Sequence, residues 1–210
     1  MTRVKVCGIT GVEDALAALD AGADMLGFNF YARSPRYVTP AEARKVIGRL
    51  PDGVSCVGVF VNEPAPADVE RVAREAGLGA VQLHGDETPG YCQSLRDLTT
   101  IKALRVGADY NVESAAAYHT DAVLLDAYVA GERGGTGHTF DWALATLTRE
   151  RVARLFLAGG LNPDNVASAV AAVRPYAVDV CSGVEISPGR KSAELMRRFV
   201  EEIRAVDGRQ

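Results

Sequence analysis

Hydrophobic and polar positions along the chain fall into two alternating textures. Short apolar, β-branched runs are followed by Ala-rich, charged segments with apolar positions three to four residues apart. The first texture is that of buried strands and the second that of amphipathic helices. The apolar runs cover residues 3–7, 25–30, 54–61, 80–84, 100–106, 122–126, 155–158 and 177–181. The helical periodicity predicts helices over 12–21, 40–49, 66–76, 88–97, 110–118, 140–148, 162–173 and 191–205. Thr39-Pro40 and Asn162-Pro163 each set a proline at a first helical position behind a capping side chain.

Strict strand-then-helix order implies a parallel sheet with helical crossovers. Near-continuous apolar strands imply a sheet buried on both faces. Eight such units in a chain of 210 residues favour an α/β fold of one kind, a single (β/α)8 TIM barrel of eight parallel strands with outer helices. Such barrels run to about 200–250 residues. The rival, an open doubly wound sheet, usually carries a GxGxxG turn after its first strand, and none occurs here. No linker or low-complexity segment interrupts the pattern, so residues 1–210 read as one catalytic domain. The only long irregular stretch is 127–138.

Apolar residues at 48% and charged residues at 24% fit an ordinary soluble protein. A net charge of −4 with scattered arginines argues against nucleic acid and anionic membranes as partners. No apolar stretch reaches the roughly 18 residues of a membrane span. The N-terminus enters a strand directly, without a signal region, which points to the cytoplasm. The cysteines are Cys7, Cys56, Cys92 and Cys181, with no CxxC pair and no zinc-ligand spacing, so no metal is expected and the thiols are expected to be free. A lone cysteine is ordinarily packing material, and Cys7 needs its own argument.

That argument comes from position. A closed barrel carries its active site at the C-terminal ends of its strands. There the runs end in Cys7-Gly8, Asn29-Phe30, Asn62, Gln82-Leu83-His84, Arg105, Asp126, Ala158-Gly159-Gly160 and Cys181-Ser182-Gly183. Gly159-Gly160 and Ser182-Gly183, at the last two strands, suit a phosphate cradle with a short helix starting near Gly183. Either pair alone is also how a tight turn is built. Asp126 closes an apolar run with no helix following at once, which weakens its reading as a cap and suits a general acid. Arg36, stiffened by Pro35, is either an exposed loop arginine or a fork for a carboxylate. His84 is divided between the pocket and a structural role, and His119 reads as surface. The 127–138 stretch reads as a loop or as a lid hinged at Gly131, Gly134, Gly135 and Gly137, with His138 in it. A P-loop fits poorly, because His138 stands where its lysine belongs. Lys5 shares the strand face of Cys7 and is expected to pair with Asp179 beneath the site, unless either points outward.

These residues, in order, resemble a known family. Val4-Lys5-Val6-Cys7-Gly8-Ile9-Thr10, Gly27-Phe28-Asn29-Phe30-Tyr31, Ser34-Pro35-Arg36-Tyr37-Val38, Val57-Gly58-Val59-Phe60-Val61-Asn62, Val81-Gln82-Leu83-His84-Gly85, Gly134-Gly135-Thr136-Gly137 and Ser182-Gly183-Val184-Glu185 are similar to the signatures of phosphoribosylanthranilate isomerases. The resemblance spans nearly every strand-to-helix junction. It implies an Amadori rearrangement of N-(5-phosphoribosyl)anthranilate in tryptophan biosynthesis, without cofactor or metal. It also implies Cys7 as general base, Asp126 as general acid, Arg36 on the anthranilate carboxylate, and Gly159, Gly160, Ser182 and Gly183 around the phosphate. The expected partner is a small phosphorylated substrate, and the expected state a monomer or a homodimer. His138 stands where many relatives carry lysine, Ala32-Arg33 where Pro-Lys is common, and Asn29 where an apolar residue is usual. The rival readings are the related barrel isomerase of the histidine-pathway aminoaldose phosphate, which uses two carboxylates where this chain has Cys7 and Asp126, and a catalytically silent phosphate-binding barrel.

Overall fold

The computed structural model describes residues 1–107, 109–127 and 142–208. Eight parallel strands close into a barrel in sequence order: β1 (Arg3–Cys7), β2 (Met25–Asn29), β3 (Ser55–Phe60), β4 (Ala80–Leu83), β5 (Thr99–Val106), β6 (Ala122–Ala127), β7 (Leu155–Leu157) and β8 (Ala177–Val180). The barrel shuts where β8 pairs with β1, with Lys5 opposite Asp179 and Val6 opposite Val180. The helices that alternate with these strands are α1 (Val12–Asp20), α2 (Pro40–Ile47), α3 (Pro66–Ala76), α4 (Pro89–Ser94), α5 (Val112–Ala116), α6 (Trp142–Arg149), α7 (Val166–Val173) and α8 (Ala193–Asp207). After β8 come a 3₁₀ turn (Ser182–Val184) and a small hairpin of β9 (Glu185–Ser187) and β10 (Arg190–Lys191).

Alternation along each strand splits the core in two. One set, including Met25, Val57, Ile101, Leu124 and Phe156, fills the barrel. The other, including Val4, Val6, Leu26, Leu83, Leu125 and Val178, packs outward with α-helical residues such as Ala15, Val69, Val170 and Phe199. Burial of both faces is why the strands read as unbroken apolar runs. The same inner cluster includes the small Ala80, Ala103, Ala122 and Ala177, the first, third and fourth of them where β4, β6 and β8 begin.

The Thr39-Pro40 start is as the sequence predicts. Thr39 accepts from the Glu42 amide, and Glu42 accepts from the Thr39 amide at 2.8 Å, a reciprocal cap. At Asn162-Pro163 the structure differs. Asn162 Oδ1 accepts from the Asp164 amide at 2.8 Å, closing a turn, and the regular helix starts only at Val166. Its side chain serves the local backbone two residues on, as asparagines in turns do. Helices α4 and α5 are shorter than their periodicity predicts: α4 starts behind its Thr88 cap but stops at Ser94, and α5 starts behind its Asn111 cap and stops at Ala116. The stretch 127–138, with Gly131, Gly134, Gly135, Gly137 and His138, lies outside the described residues apart from the backbone of Ala127. Among the described residues no helix is long and apolar enough to cross a membrane.

Candidate active site

Residues two apart on a strand share a face. At the C-terminal rim this brings Lys5 and Cys7, Gln82 and His84, Leu124 and Asp126, and Asp179 and Cys181 toward the axis. One cavity in the mouth is lined by Cys7, Gln82, His84, Asp126, Asp179 and Cys181, and also by Arg36, Gly159, Gly160 and Ser182. Every expected site residue is therefore on this wall except Gly183, which lies behind it. A roomier cleft of about 660 Å³ beside β5 is lined by Arg105, Asp109 and Tyr110 among others and holds neither cysteine nor histidine. Among the described residues no three His, Cys, Asp or Glu side chains converge as metal ligands would.

A continuous chain of hydrogen bonds crosses the floor of the cavity. Lys5 Nζ donates to Asp179 Oδ1 at 2.7 Å and to Gln82 Oε1 at 2.9 Å. Gln82 Nε2 lies 2.8 Å from His84 Nδ1, and His84 Nε2 lies 3.1 Å from Asp126 Oδ2. The proton positions follow from donor and acceptor chemistry. A lysine ammonium only donates, so the oxygen of the Gln82 amide faces it. The amide nitrogen then faces His84, whose Nδ1 must accept. The ring proton is thus on Nε2 and donates to Asp126. A lysine at the start of the chain fixes the tautomer of a histidine beside the acid candidate.

The Cys7 thiol is held well below the ordinary thiol range. A hydrogen bond from Cys181 is the largest cause; burial opposes it, and the positive charges of Lys5 and Lys191 add to it. Cys181 moves the opposite way, raised by its hydrogen bond to Cys7 and by burial. Of the two, Cys7 is the thiol driven toward thiolate and Cys181 the one held away from it. Burial works against the charge of Lys5, but Asp179 and Cys7 together outweigh it and keep the lysine protonated. Burial pushes the Asp179 carboxyl up to about 7 against the pull of Lys5.

Arg36 reaches the cavity across Gly8. A Cβ on Gly8 would stand 2.6 Å from Arg36 Cδ, and the residue has φ +78°, so glycine is required there on both counts. The guanidinium is not idle: Nε donates to Glu185 Oε1 at 2.9 Å and Nη2 to Oε2 at 2.7 Å. Glu185 also accepts from Lys191 at 2.8 Å. One edge of the fork is thus held by the protein, and a ligand carboxylate would meet the opposite edge, at Nη1 and the second Nη2 hydrogen.

Gly159 and Gly160 both lie at positive φ, +84° and +67°. The Gly160 carbonyl accepts from Asn165 Nδ2 at 2.9 Å and from Asn162 Nδ2 at 3.3 Å, which fixes the loop against the start of α7. A Cβ on Gly183 would lie 2.0 Å from the Leu161 carbonyl oxygen, so this glycine lets the 3₁₀ turn seat against the β7 loop. Gln82, Cys181, Glu185 and Lys191 are the contributors the sequence reading gave no role. Strand parity could have found Gln82 and Cys181, since each sits two residues from a polar inward position. Nothing local marks Glu185 and Lys191, which come from a hairpin folded back over the rim.

Comparison with known proteins agrees in every direction. Residues 4–202 match the family model of N-(5′-phosphoribosyl)anthranilate (PRA) isomerase. An N-(5′-phosphoribosyl)anthranilate isomerase of Trichlorobacter lovleyi is 52% identical over 200 residues, covering 95% of this chain and 97% of that one. The crystal structure of phosphoribosyl anthranilate isomerase from Thermotoga maritima superimposes with a TM-score of 0.91 at 44% identity, over 98% of this chain and all of that one. A further isomerase structure, in complex with reduced 1-(o-carboxyphenylamino)-1-deoxyribulose 5-phosphate, gives a TM-score of 0.88 at 43% identity, covering 98% and 100% of the two chains.

Proposed function

For a chain that belongs to the N-(5′-phosphoribosyl)anthranilate isomerase family, we propose that Cys7 is the general base, Asp126 the general acid, Arg36 the anchor of the anthranilate carboxylate, and Gly159, Gly160, Ser182 and Gly183 the phosphate cradle. The reaction is the Amadori rearrangement of N-(5-phosphoribosyl)anthranilate to 1-(2-carboxyphenylamino)-1-deoxyribulose 5-phosphate, a step of tryptophan biosynthesis. The observation that carries the assignment is the meeting, in one cavity, of a thiol pushed toward thiolate and a carboxyl group on the strands β1 and β6.

Oδ2 of Asp126 accepts from His84, so the proton for the substrate belongs on Oδ1. Asp126 gives that proton to the ribose ring oxygen; the C1–O bond breaks, and the nitrogen lone pair forms a Schiff base. The His84 N–H then steadies the carboxylate left behind. The Cys7 thiolate takes the proton from C2, and its electrons flow toward the C=N bond to give an enolamine. Tautomerisation yields the ketone. Acid and base contributions of this kind are each worth about 10²–10⁴-fold. Free thiols fit a reducing cytoplasm, where we place the protein.

Cys7→Ala and Asp126→Asn test the assignment. Each is expected to lower kcat by about 10²-fold or more with little change in the affinity for a product analogue. The rate is followed by the loss of anthranilate-substrate fluorescence. Wild-type turnover in Cys7→Ala would place the base elsewhere.

A further inference from the structure

We infer that Cys7 and Cys181 form a reversible disulfide site, at which a hydroperoxide converts the two facing thiols into a bond that withdraws the base from the reaction. The inference rests on Cys7 being that base. The register supplies the geometry. Val6 faces Val180 across the β1–β8 seam as its last registered pair; Cys7 is the next residue of β1 and Cys181 the first residue after β8. Two residues earlier on the same faces, Lys5 and Asp179 already touch at 2.7 Å. Neighbouring strands lie about 4.8 Å apart, inside the roughly 4.4–6.8 Å between Cα atoms that a disulfide spans. Cys181 Sγ overhangs Gly8, where a Cβ would be 3.1 Å from it, and Cys7 Sγ rests over Gly27, where a Cβ would be 2.8 Å away.

Reactivity agrees with placement. Both thiols line the substrate cavity, and Cys181 is partly exposed. Lys191 Nζ stands 3.8 Å from Cys181 Sγ, and Lys5 is beneath Cys7. A thiolate in positive surroundings beside a second cysteine is the arrangement that oxidises selectively. The remaining two cysteines lack it. Cys56 and Cys92 are buried in the core, and burial pushes each thiol up to about 11.

The step balances. The Cys7 thiolate attacks one oxygen of hydrogen peroxide, the O–O bond breaks, and Cys7 becomes a sulfenic acid while hydroxide leaves. Cys181 gives its proton to that hydroxide, forming water, and attacks the Cys7 sulfur. The S–O bond breaks, the S–S bond forms, and the second oxygen leaves as hydroxide, which takes up a proton from solvent. The two thiols lose two electrons and the peroxide gains them. A dithiol reverses the change.

The intact protein is treated with hydrogen peroxide, alkylated, digested and analysed by mass spectrometry, with turnover measured alongside. The four free thiols are expected to fall to two, with a linked Cys7–Cys181 peptide. Activity should drop in proportion and return with dithiothreitol. In Cys181→Ser, scored against its own untreated rate, the same exposure should carry Cys7 on to sulfinic acid, with activity that dithiothreitol does not restore. Absence of the linked peptide in the wild type, with Cys7→Ala inactive, overturns the disulfide and leaves the base assignment standing. A linked peptide with undiminished turnover overturns the base assignment and the switch with it. Recovery of Cys181→Ser as complete as that of the wild type removes Cys181 from the account.

Discussion

At the scale of single residues, the site works by fixing where protons are. Lys5 can only donate, and through Gln82 this forces His84 to present its N–H to Asp126. From the other wall, Cys181 together with the charges of Lys5 and Lys191 draws the Cys7 thiol down. The acid limb of kcat/KM reports the free enzyme's base. With Cys7 lowered and acting as the proposed base, its thiolate persists below the ordinary thiol value of about 8.5, and activity is expected to fall as pH drops through the depressed value. Cys181→Ala removes the largest lowering influence while burial and the two lysines remain. Its acid limb should therefore move to higher pH, toward the ordinary thiol range, as measured by kcat/KM against pH. An unmoved limb would mean that Cys181 does not set the ionisation of Cys7. That Cys7, Asp126 and Arg36 stand at one rim was legible, because each ends a strand run or follows one closely, and the three line one cavity. The engagement of Arg36 by Glu185 was not, since its partner is 149 positions away.

At the scale of elements, the proposed phosphate cradle depends on two connections closing on each other. The β7 loop carries left-handed glycines, and the 3₁₀ turn after β8 seats against it through Gly183. The obstruction a methyl group would meet at Gly183 is a backbone carbonyl, which no side-chain rotation can clear. Gly183→Ala should therefore cost about 1–3 kcal/mol of stability, read from urea unfolding, and should raise KM for the phosphorylated substrate more than it lowers kcat. Normal KM with normal stability would show that the two connections do not need this contact. The 3₁₀ turn was legible from Ser182-Gly183. The late start of α7 was not, because Asn162 and Asn165 spend their side chains on the loop and its Gly160 carbonyl, and a helical apolar period does not reveal that.

At the scale of the whole molecule, the barrel is closed by a polar fastener inside an apolar seam. Lys5 is fully buried where β1 meets β8, and its ammonium is shared between Asp179 and Gln82. Breaking a buried pair by removing one partner costs about 3–5 kcal/mol, whereas replacing both with apolar residues is often neutral. Lys5→Met should fall at the lower end of that range, since Asp179 can take up a proton, and Lys5→Met with Asp179→Leu should recover most of the loss. Denaturant unfolding of the single and double variants measures both. Equal stability of Lys5→Met and the wild type would deny the pair any part in closure.

The sequence by itself determined the barrel, since eight apolar runs alternating with helical periods leave few other ways to bury both faces of a parallel sheet. It determined too that the chemistry gathers at one rim, because polar and glycine residues end the runs and strand polarity is shared. It also marked Lys5 and Asp179 as inward polar residues. Only the tertiary structure decided which of those residues touch. Closing the barrel sets β8 against β1, which brings Cys181 to Cys7 across 174 positions of chain, and the β9–β10 hairpin folds so that Glu185 meets both Arg36 and Lys191. Hydrogen bonds and charge act over a few ångströms of space, and local patterning carries no measure of that distance between residues so far apart in the chain.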